Sequence, residues 1–456
     1  MANALEYTYR YDRASLVERG SSRSQHIALA TSNSDHSPAY FFEGALRKPK
    51  LTGQLLFTLS EIIRARFWEP IPMGYALYDP VLTSHPDILR LEGFSGCGGV
   101  YARADLPAGL FDGETRGRGT TNVDFNEELR RGLLALRDGE HAQLSIGAEE
   151  VVLTRSNHSI VEKKVKLPLR WIKGFSEAQA YLACLKPQDE VSAADALRLV
   201  RALPQAPSRR HSANIVLGSG GFRITQRPTR NSVPVSGTHR LKLLEPLIHH
   251  ARTLRVWLDP KSGASGWELC FEEGSFFLLL SPELHRGFSG EGQILHALAR
   301  PPSASLVAEV RARLAWQSLI EPDSIATALD AQPDAVEAAL AVLGSQGLVG
   351  FDAAAGRYFH RELPFNLAQV EATQPRLTSA RKLVAARAIR AVLGGKPGER
   401  TFEVKGSETV HRVRLTEQGE KCTCPWFSKH QGQRGPCKHI LAVQMIDTAE
   451  REGSPA

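Results

Sequence analysis

The sequence predicts an α+β protein built from several domains, and three observations favour this fold class. Its 456 residues are enough for about two to four domains with hydrophobic cores of their own. Helical and strand patterns mix over roughly the first 300 residues without regular alternation, which favours α+β over a doubly wound sheet. Three helical segments with a hairpin follow, and then two strands and a helix. We predict four units, at residues 1–204, 205–303, 304–362 and 363–456.

The two N-terminal units combine amphipathic helices with short strands. A helix is clearest at residues 51–67, where Leu55, Leu59 and Ile62 fall on one apolar face. Further helices are predicted at 126–137 and 193–203. Predicted strands cover residues 143–146, 150–154, 160–165, 214–217, 222–226, 254–258, 268–271 and 276–280. The proline- and arginine-containing segment 204–212 is the predicted linker between the units.

Two hexamers in these units are nearly identical, GFSGCG at residues 93–98 and GFSGEG at 287–292. They could mark a duplicated α+β unit, but two coincident tight turns are the favoured interpretation. Neither hexamer matches a phosphate-binding loop or a nucleophile elbow. The hexamers therefore indicate turns and assign no catalytic chemistry.

Two polar stretches are candidate binding elements. Residues 119–126 concentrate hydroxyl, amide and carboxylate groups before a helix, and capping by Asp124 or Asn126 is favoured over a binding loop. Residues 161–173 are basic and contain Trp171, which could stack on a nucleic-acid base. The same alternation of Val and Lys is also typical of a half-exposed strand, which is the favoured interpretation.

The unit at 304–362 resembles a winged helix, because helices predicted at 304–316, 322–329 and 333–346 precede a hairpin at 348–360. The third helix offers Asp334 and Glu337 to solvent and contains no Lys or Arg. Base readout normally uses Arg, Lys, Asn or Gln at that position. Only the hairpin is basic, through Arg357, His360 and Arg361. We therefore expect this unit to dock a protein or to act as a scaffold.

The chemistry of the chain is clearest in a Cys-x-Cys, twelve-residue gap, Cys-x-His array near the C-terminus, formed by Cys422, Cys424, Cys437 and His439. Three thiolates and an imidazole complete the tetrahedral coordination of one structural zinc ion. Residues 411–415 and 421–424 are predicted strands, and a helix begins near Pro436. A closed ligand set leaves no place for an activated water, so we expect no enzymatic activity.

Composition indicates the class of protein and its cellular location. A hydrophobic fraction of 42% and a charged fraction of 23% are those of a soluble globular protein. No apolar run reaches the roughly 20 residues of a membrane span, and the N-terminus lacks the apolar core of a signal peptide. Zinc uses three of the six cysteines, which leaves Cys97, Cys184 and Cys270 as an odd set. We therefore predict reduced thiols and a cytoplasmic location.

The net charge of +7 is concentrated at the C-terminus, where residues 365–456 contain fifteen Lys or Arg and nine Asp or Glu. Such a patch suits salt-sensitive contacts with phosphates, although a solvated basic face has the same composition. The candidate nucleic-acid-binding residues are Arg412, Arg414, Lys421, Lys429, Arg434 and Lys438.

Several motifs together resemble the bacterial SWIM zinc finger family proteins. They are FSGCGGVY at 94–101, GTTNVDF at 119–125, LRWIKGF at 169–175, and CTCPW with GPCKH at 422–426 and 435–439. The resemblance covers most of the chain, and the four predicted ligands match the zinc ligands of that family one for one. It implies a zinc finger that contacts DNA or protein. It also implies possible partners of the MoxR-type AAA ATPase and von Willebrand A-domain classes.

Two functions of different class follow from the sequence. The first is a nucleic-acid-binding accessory protein that uses the basic C-terminal region. The second is a protein–protein interaction adaptor that uses the winged-helix-like unit and the finger. Charge reversal at Lys429, Arg434 and Lys438 should abolish the first function and can spare the second.

Overall fold

The computed structural model confirms a mixed α/β architecture with several sheets. The structure describes residues 7–9, 16–19, 24–29, 31–32, 40–68, 80–115, 117–123, 125–139, 141–147, 165–167, 169–204, 212–218, 221–288, 292, 294–363, 374–392, 398–406, 409–416 and 418–451.

A nine-stranded sheet forms the centre of the molecule, and every neighbouring pair in it is antiparallel. Its strands lie in the order Lys186–Ser192, Thr253–Leu258, Ser265–Cys270, Ser275–Leu280, Val100–Pro107, Ile88–Phe94, Val81–Ser84, Gly119–Val123 and Thr31–Ser32. Apolar side chains alternate along these strands and are buried, as in Leu89 and Leu91. Strands from both sides of the predicted linker therefore meet in one sheet.

Three smaller sheets flank the central one. The first pairs Tyr7–Tyr9 with Val165–Leu167. The second has the order Leu16–Arg19, Ser24–Leu29, His141–Gly147, Tyr40–Leu46 and Phe111–Thr115. The third has the order Gly221–Thr225, Ser212–Gly218 and Val233–Ser236.

The helices of this body are Pro49–Arg64, Glu127–Ala135, Leu169–Cys184, Ala193–Ala202, Glu245–Ile248 and Ile294–Ala299, with 3-10 turns at Ala108–Leu110 and Thr238–Leu244. The helix Pro49–Arg64 buries its predicted face, with Leu55 and Leu59 fully inside. One hydrophobic cluster extends from Phe42 to Leu363. The segments 1–204 and 205–303 thus share one sheet and one core, and neither has a separate core among the described residues.

Several local expectations are met. Asn126 caps the helix Glu127–Ala135, because its side chain accepts a hydrogen bond from the amide of Leu129 at 2.8 Å. Residues 119–123 form a central-sheet strand. The helix Leu169–Cys184 and the strands Val81–Ser84 and Val100–Pro107 lie where the sequence predicts no element. The predicted strand 150–154 lies outside the described residues, as does 160–164.

The basic stretch 161–173 does not supply an aromatic surface for a base. Trp171 is buried in the helix Leu169–Cys184 and packs edge-to-face on Phe94 and Phe175, with ring centroids 5.8 and 6.1 Å apart. The base-stacking interpretation of Trp171 is therefore wrong, because its ring belongs to the hydrophobic core.

The unit at 304–362 contains the helices Ala304–Arg311, Pro322–Leu329 and Pro333–Ser345 and a hairpin of Val349–Asp352 with Arg357–His360. Their bounds agree with the sequence analysis to within a few residues, except that the first helix ends earlier. The elements are those of a winged helix, but this assignment stays a prediction. Leu340 and Val349 are fully buried in a small core of the unit itself.

The hairpin of this unit is buried against the central sheet. His360 and Arg361 are 2% and 1% exposed, so only Arg357 of the three basic hairpin residues faces solvent. The predicted positive wing is therefore wrong as a surface feature. The Arg361 charge instead forms a buried ion pair with Glu92.

Buried charges join the hairpin to the central sheet. Arg90 and Arg103 contact Asp352 of the hairpin at 2.9 and 3.0 Å, and both also contact Asp105. Burial opposes ionisation of Asp352, but the two guanidinium groups outweigh it and hold the pKa of this carboxyl well below its usual range. A second pair, Arg361 with Glu92, lies beside them. The unit is thus locked to the body by ion pairs that are inaccessible to solvent.

In the described part of the chain, none of the helices has the length and apolarity needed to cross a membrane.

Candidate metal centre and basic surface

The C-terminal unit is a four-stranded antiparallel sheet with helices on one face. Its strands are Ile389–Val392, Arg400–Lys405, Val410–Thr416 and Gly419–Cys422, in that order. Its helices are Pro375–Ala385, Pro425–His430 and Lys438–Arg451. The sequence predicted the last two strands and the last helix. It missed the first two strands, the helix Pro375–Ala385 and the short helix between the ligand pairs.

The four predicted ligands converge. The sulfur atoms of Cys422, Cys424 and Cys437 and a ring nitrogen of His439 all lie within 4.8 Å of one another, and all four residues are buried. His439 faces the cluster through Nδ1, which lies 3.8 Å from the Cys422 sulfur.

Local structure explains why each ligand points inward. Cys422 ends its strand, and Cys424 is the N-cap of the helix Pro425–His430, where its sulfur accepts the Phe427 amide at 3.4 Å. Cys437 immediately precedes the helix Lys438–Arg451, and its sulfur accepts the Ile440 amide at 3.5 Å. Hydrogen bonds among the three thiols lower the pKa of Cys424 and raise those of Cys422 and Cys437. Amide donors and helix N-termini favour thiolates, so the site suits a cation.

The residues fit zinc by their chemistry. Three thiolates and one imidazole form a complete tetrahedral set for Zn²⁺, and thiolates disfavour calcium or magnesium. No other His, Cys, Asp or Glu of the described residues joins the cluster. The site can therefore hold a structural metal ion and has no ligand position reserved for substrate.

Arg376 fixes the loop between the two ligand pairs. Its Nη1 donates hydrogen bonds to the carbonyl oxygens of Arg434 and Pro436, at 3.0 and 2.8 Å. Its guanidinium also lies 4.6 Å from the ring centroid of Trp426. Gly432 and Gly435 take positive φ angles of 80° and 74° and allow the chain to return to the metal site.

Residues 411–443 match the family model of the SWIM zinc finger. The chain contains a SWIM zinc finger. No curated protein matches this chain. Among solved structures, the chain is similar to the proliferating cellular nuclear antigen from Entamoeba histolytica, at 12% identity and a TM-score of 0.35. That alignment covers 53% of this chain and 99% of the other, and a similarity this low does not define the fold.

The SWIM finger is docked on the body through its ligand loop. Arg434 forms a two-pronged ion pair with Glu283, with Nε and Oε1 2.8 Å apart. Gly435 packs so tightly on Gly292 that an added Cβ would lie 2.1 Å from the Gly292 carbonyl oxygen. The Gly292 amide donates in turn to buried Glu177 at 3.0 Å. Arg434, a predicted nucleic-acid contact, is therefore engaged within the protein.

Three of the other predicted contacts share the exposed face of the finger sheet. Arg412 and Arg414 alternate with buried Val413 and Leu415, and Arg414 lies opposite Lys421 on the next strand. Sequence reasoning missed two further cations on this face, although the alternation in 400–405 signals one of them. We call this surface the outer face, and its cations are Arg390, Lys405, Arg412, Arg414 and Lys421.

Carboxylates compensate the outer face only in part. Glu403 lies between Arg390 and Arg412, at 3.0 and 3.5 Å, and Glu399 lies 3.2 Å from Arg414. These cations remain 53% to 79% exposed. Within the described residues, Lys405 and Lys421 have no carboxylate within ion-pair distance. The face is therefore solvent-facing and positive.

Lys429 and Lys438 lie outside this face. Lys429 is exposed on the helix Pro425–His430, and Lys438 is exposed in the first turn of the last helix. The six predicted contact residues thus separate into three on the outer face, two on helices, and one in the docking contact with the body.

Proposed function

We propose that this protein is a zinc-binding, non-enzymatic accessory factor that binds nucleic acid through the outer face of its SWIM finger. The observation that carries the proposal is the clustering of five exposed cations on one face of the finger sheet. The buried zinc ligands lie on strands and helices behind that face and stabilise it. The proposed location is the cytoplasm, where the remaining thiols stay reduced.

The chemistry of the outer face favours phosphate as the recognised group. Lys and Arg contact phosphates without reading bases, which gives binding that is sequence-independent and weakens with salt. The aromatic rings of this unit lie elsewhere: Phe402 and Phe427 are buried, and Trp426 lies under Arg376. The described outer face has no aromatic ring for base stacking, so contacts to the backbone should dominate.

The test is a salt titration of binding to a labelled DNA duplex, followed by fluorescence anisotropy. The triple variant Arg412→Gln, Arg414→Gln, Lys421→Gln removes three outer-face cations. If all three contact phosphates, the slope of log K against log salt should fall by about 2.7, at about 0.9 per contact. Because no sequence is read, unrelated duplexes should bind alike.

A matched control removes the same charge elsewhere. Arg198, Arg201 and Arg252 are 70%, 59% and 66% exposed on the body, so their triple change to Gln lowers the net charge equally. The control should bind like the parent protein. Equal weakening by both variants, or no binding by the parent at about 50 mM salt, would refute the outer face as the site.

Zinc binding has its own test. We expect metal analysis to find one equivalent of zinc per chain. The Cys437→Ser variant should lose both the zinc and the fold of the finger. The exposed Cys184 supplies the control, because Cys184→Ser should keep the metal. A Cys437→Ser protein that retains both zinc and fold would contradict the assignment.

The second candidate function is a protein–protein interaction adaptor. It is supported by the helix Pro333–Ser345, whose exposed side includes Asp334 and Glu337 and lacks cations. A partner of the AAA ATPase or von Willebrand A-domain class is proposed from the family resemblance alone. A pull-down from native extract tests this candidate. The outer-face variant should still recover a stoichiometric partner, whereas recovery of none would contradict the adaptor role.

A further inference from the structure

The cations of the outer face differ in what lies opposite them in the sheet. Arg390 and Arg412 both lie opposite Glu403, which is on the strand between them. Arg414, in contrast, lies directly opposite Lys421 on the neighbouring strand. Opposite charges across two strands stabilise a sheet, whereas like charges directly opposite each other destabilise it. The outer face therefore contains one row in which a carboxylate separates the cations and one row in which two cations are neighbours.

The like-charge row is only partly compensated. Glu399 Oε1 lies 3.2 Å from Arg414 Nε, while the Arg414 side chain remains 53% exposed. A guanidinium has five N–H donors, so this single contact leaves donors of Arg414 available to a ligand. Lys421 is exposed, and among the residues that the structure describes no carboxylate lies within ion-pair distance of it. The charge of Lys421 is thus unbalanced and lies beside a second cation.

This row has the donors and the spacing of a phosphate site. Directly opposite residues have Cβ atoms about 5 Å apart, so the guanidinium of Arg414 and the ammonium of Lys421 can reach the same anion. Thr401 lies opposite Arg414 on its other side and adds a hydroxyl to the row. Charged N–H donors form the strongest hydrogen bonds to phosphate oxygens. The three side chains come from three strands, so the sheet sets their spacing before any ligand binds.

The metal cluster holds the strand that carries Lys421. Cys422 lies opposite the fully buried Val413, next to the Arg414–Lys421 pair, and its sulfur belongs to the ligand cluster. In the described sheet, Gly419–Cys422 is an edge strand that pairs with Val410–Thr416. A metal ion bound at Cys422 would therefore keep Lys421 beside Arg414 despite their repulsion.

We propose that Arg414 and Lys421 form a phosphate clamp, in which both side chains hold one phosphate group of a nucleic-acid backbone. The bound phosphate replaces the repulsion between the two cations with two charge-assisted contacts. Arg412 contacts a different phosphate, because it lies two residues along the strand, about 7 Å from Arg414. This inference rests on the proposed nucleic-acid binding and identifies the anchor within the outer face.

A double-mutant cycle of duplex binding tests the phosphate clamp in the full zinc-loaded chain, with changes of Arg412, Arg414 and Lys421 to Gln. Loss of one phosphate contact should lower the affinity about eightfold at 0.1 M salt, since each contact contributes about 0.9 to the salt slope. Arg414→Gln combined with Lys421→Gln should lose little more than either single variant, because both side chains hold the same phosphate. The matched control is Arg412→Gln combined with Lys421→Gln, whose separate losses should multiply. The triple variant should then lower the salt slope by about 1.8, for two phosphates, rather than 2.7.

The repulsion between the two cations has a readout that needs no nucleic acid. Hydrogen exchange of the amides in Val410–Thr416 and Gly419–Cys422 should slow in Lys421→Gln, because the like-charge pair is removed. Exchange should quicken in Arg412→Gln, because the contact with Glu403 at 3.5 Å is lost. Both differences should shrink at about 1 M salt, where the screening length falls to about 3 Å. Each variant should keep the zinc content of the parent protein, which shows that the metal site is intact.

The phosphate clamp is overturned if the losses of Arg414→Gln and Lys421→Gln multiply, or if Lys421→Gln quickens exchange as Arg412→Gln does. Multiplying losses with weaker binding by the triple variant would leave the outer face as the binding site, so the two proposals fail separately. A parent protein that binds no duplex, but whose exchange is slowed by millimolar pyrophosphate through Lys421, would hold a free phosphate compound, and the nucleic-acid assignment would be overturned. No duplex binding and no effect of pyrophosphate would overturn both proposals.

Discussion

The ion pair between Arg361 and Glu92 should be decisive for holding the hairpin of residues 349–360 on the central sheet. Both side chains are 1% exposed, and Arg361 Nη1 lies 2.6 Å from Glu92 Oε1. Arg361 Nη2 also donates to Gln179 Oε1 at 3.2 Å, and the guanidinium lies 4.7 Å from the centroid of Phe175. The substitution Arg361→Met keeps much of the apolar volume and removes the charge.

The loss of unfolding free energy follows from the hydrogen bonds that Glu92 retains in the variant. After Arg361→Met, the buried Glu92 carboxylate keeps one donor among the residues that the structure describes, the Tyr101 hydroxyl at 2.7 Å. An uncompensated buried charge of this kind costs about 3–5 kcal/mol of unfolding free energy. Arg357→Met is the matched control on the same hairpin, because Arg357 and its partner Glu321 are 40% and 60% exposed. The exposed pair should contribute less than about 1 kcal/mol.

The assay is urea unfolding followed by tryptophan fluorescence, with hydrogen exchange of the hairpin amides as a local measure. Arg361→Met should lower the urea midpoint strongly and deprotect residues 349–360, whereas Arg357→Met should do neither. Adding Glu92→Gln to Arg361→Met should recover part of the lost unfolding free energy, since a neutral amide replaces the unpaired carboxylate. Equal effects of Arg361→Met and Arg357→Met would refute the reasoning, because the hairpin would then not depend on the buried pair.

Two further predictions concern protonation and docking. Burial and the Arg90 charge lower the pKa of His85 to about 4, so the unfolded state binds more protons between about pH 4 and 6.5. The unfolding free energy measured in urea should fall by up to about 3 kcal/mol as pH falls through that window. The decrease should be smaller in His85→Gln, whose amide can still donate to the His360 carbonyl. Gly435→Ala should speed hydrogen exchange of the finger amides, because the added Cβ separates the finger from the body. It should lower the unfolding free energy by about 1–3 kcal/mol more than Gly432→Ala. Both glycines have positive φ, but a Cβ on Gly432 meets nothing closer than 3.8 Å, so equal costs would contradict the docking contact.

The metal site could be predicted from sequence because its ligands are local. Cys422 and Cys424 are two residues apart along the chain, as are Cys437 and His439, and only one return of the chain is needed to join the two pairs. The chemistry of thiolate and imidazole then specifies the ion class. Long-range information was not required.

Burial of both faces of the central sheet could not be predicted, because charged residues alternate with apolar ones in its strands. Arg90 and Glu92 alternate with Leu89 and Leu91, a pattern that normally indicates one solvent-facing side. In the structure both sides are buried, because the hairpin and its Asp352 cover the charged side. No local pattern could show that partner, which lies more than two hundred residues away along the chain.

One side of the finger sheet packs on the body and the other side faces solvent. This arrangement fixes the orientation of the outer face relative to the body. Behind the sheet, the helix Lys438–Arg451 packs on the body helix Ile294–Ala299, and the ligand loop is held by the Arg434–Glu283 pair. The cations of the outer face point away from these contacts. A ligand on the outer face would thus be held in one orientation relative to the body. A zinc ion bound by the four ligands should therefore stabilise both the finger and its placement on the body.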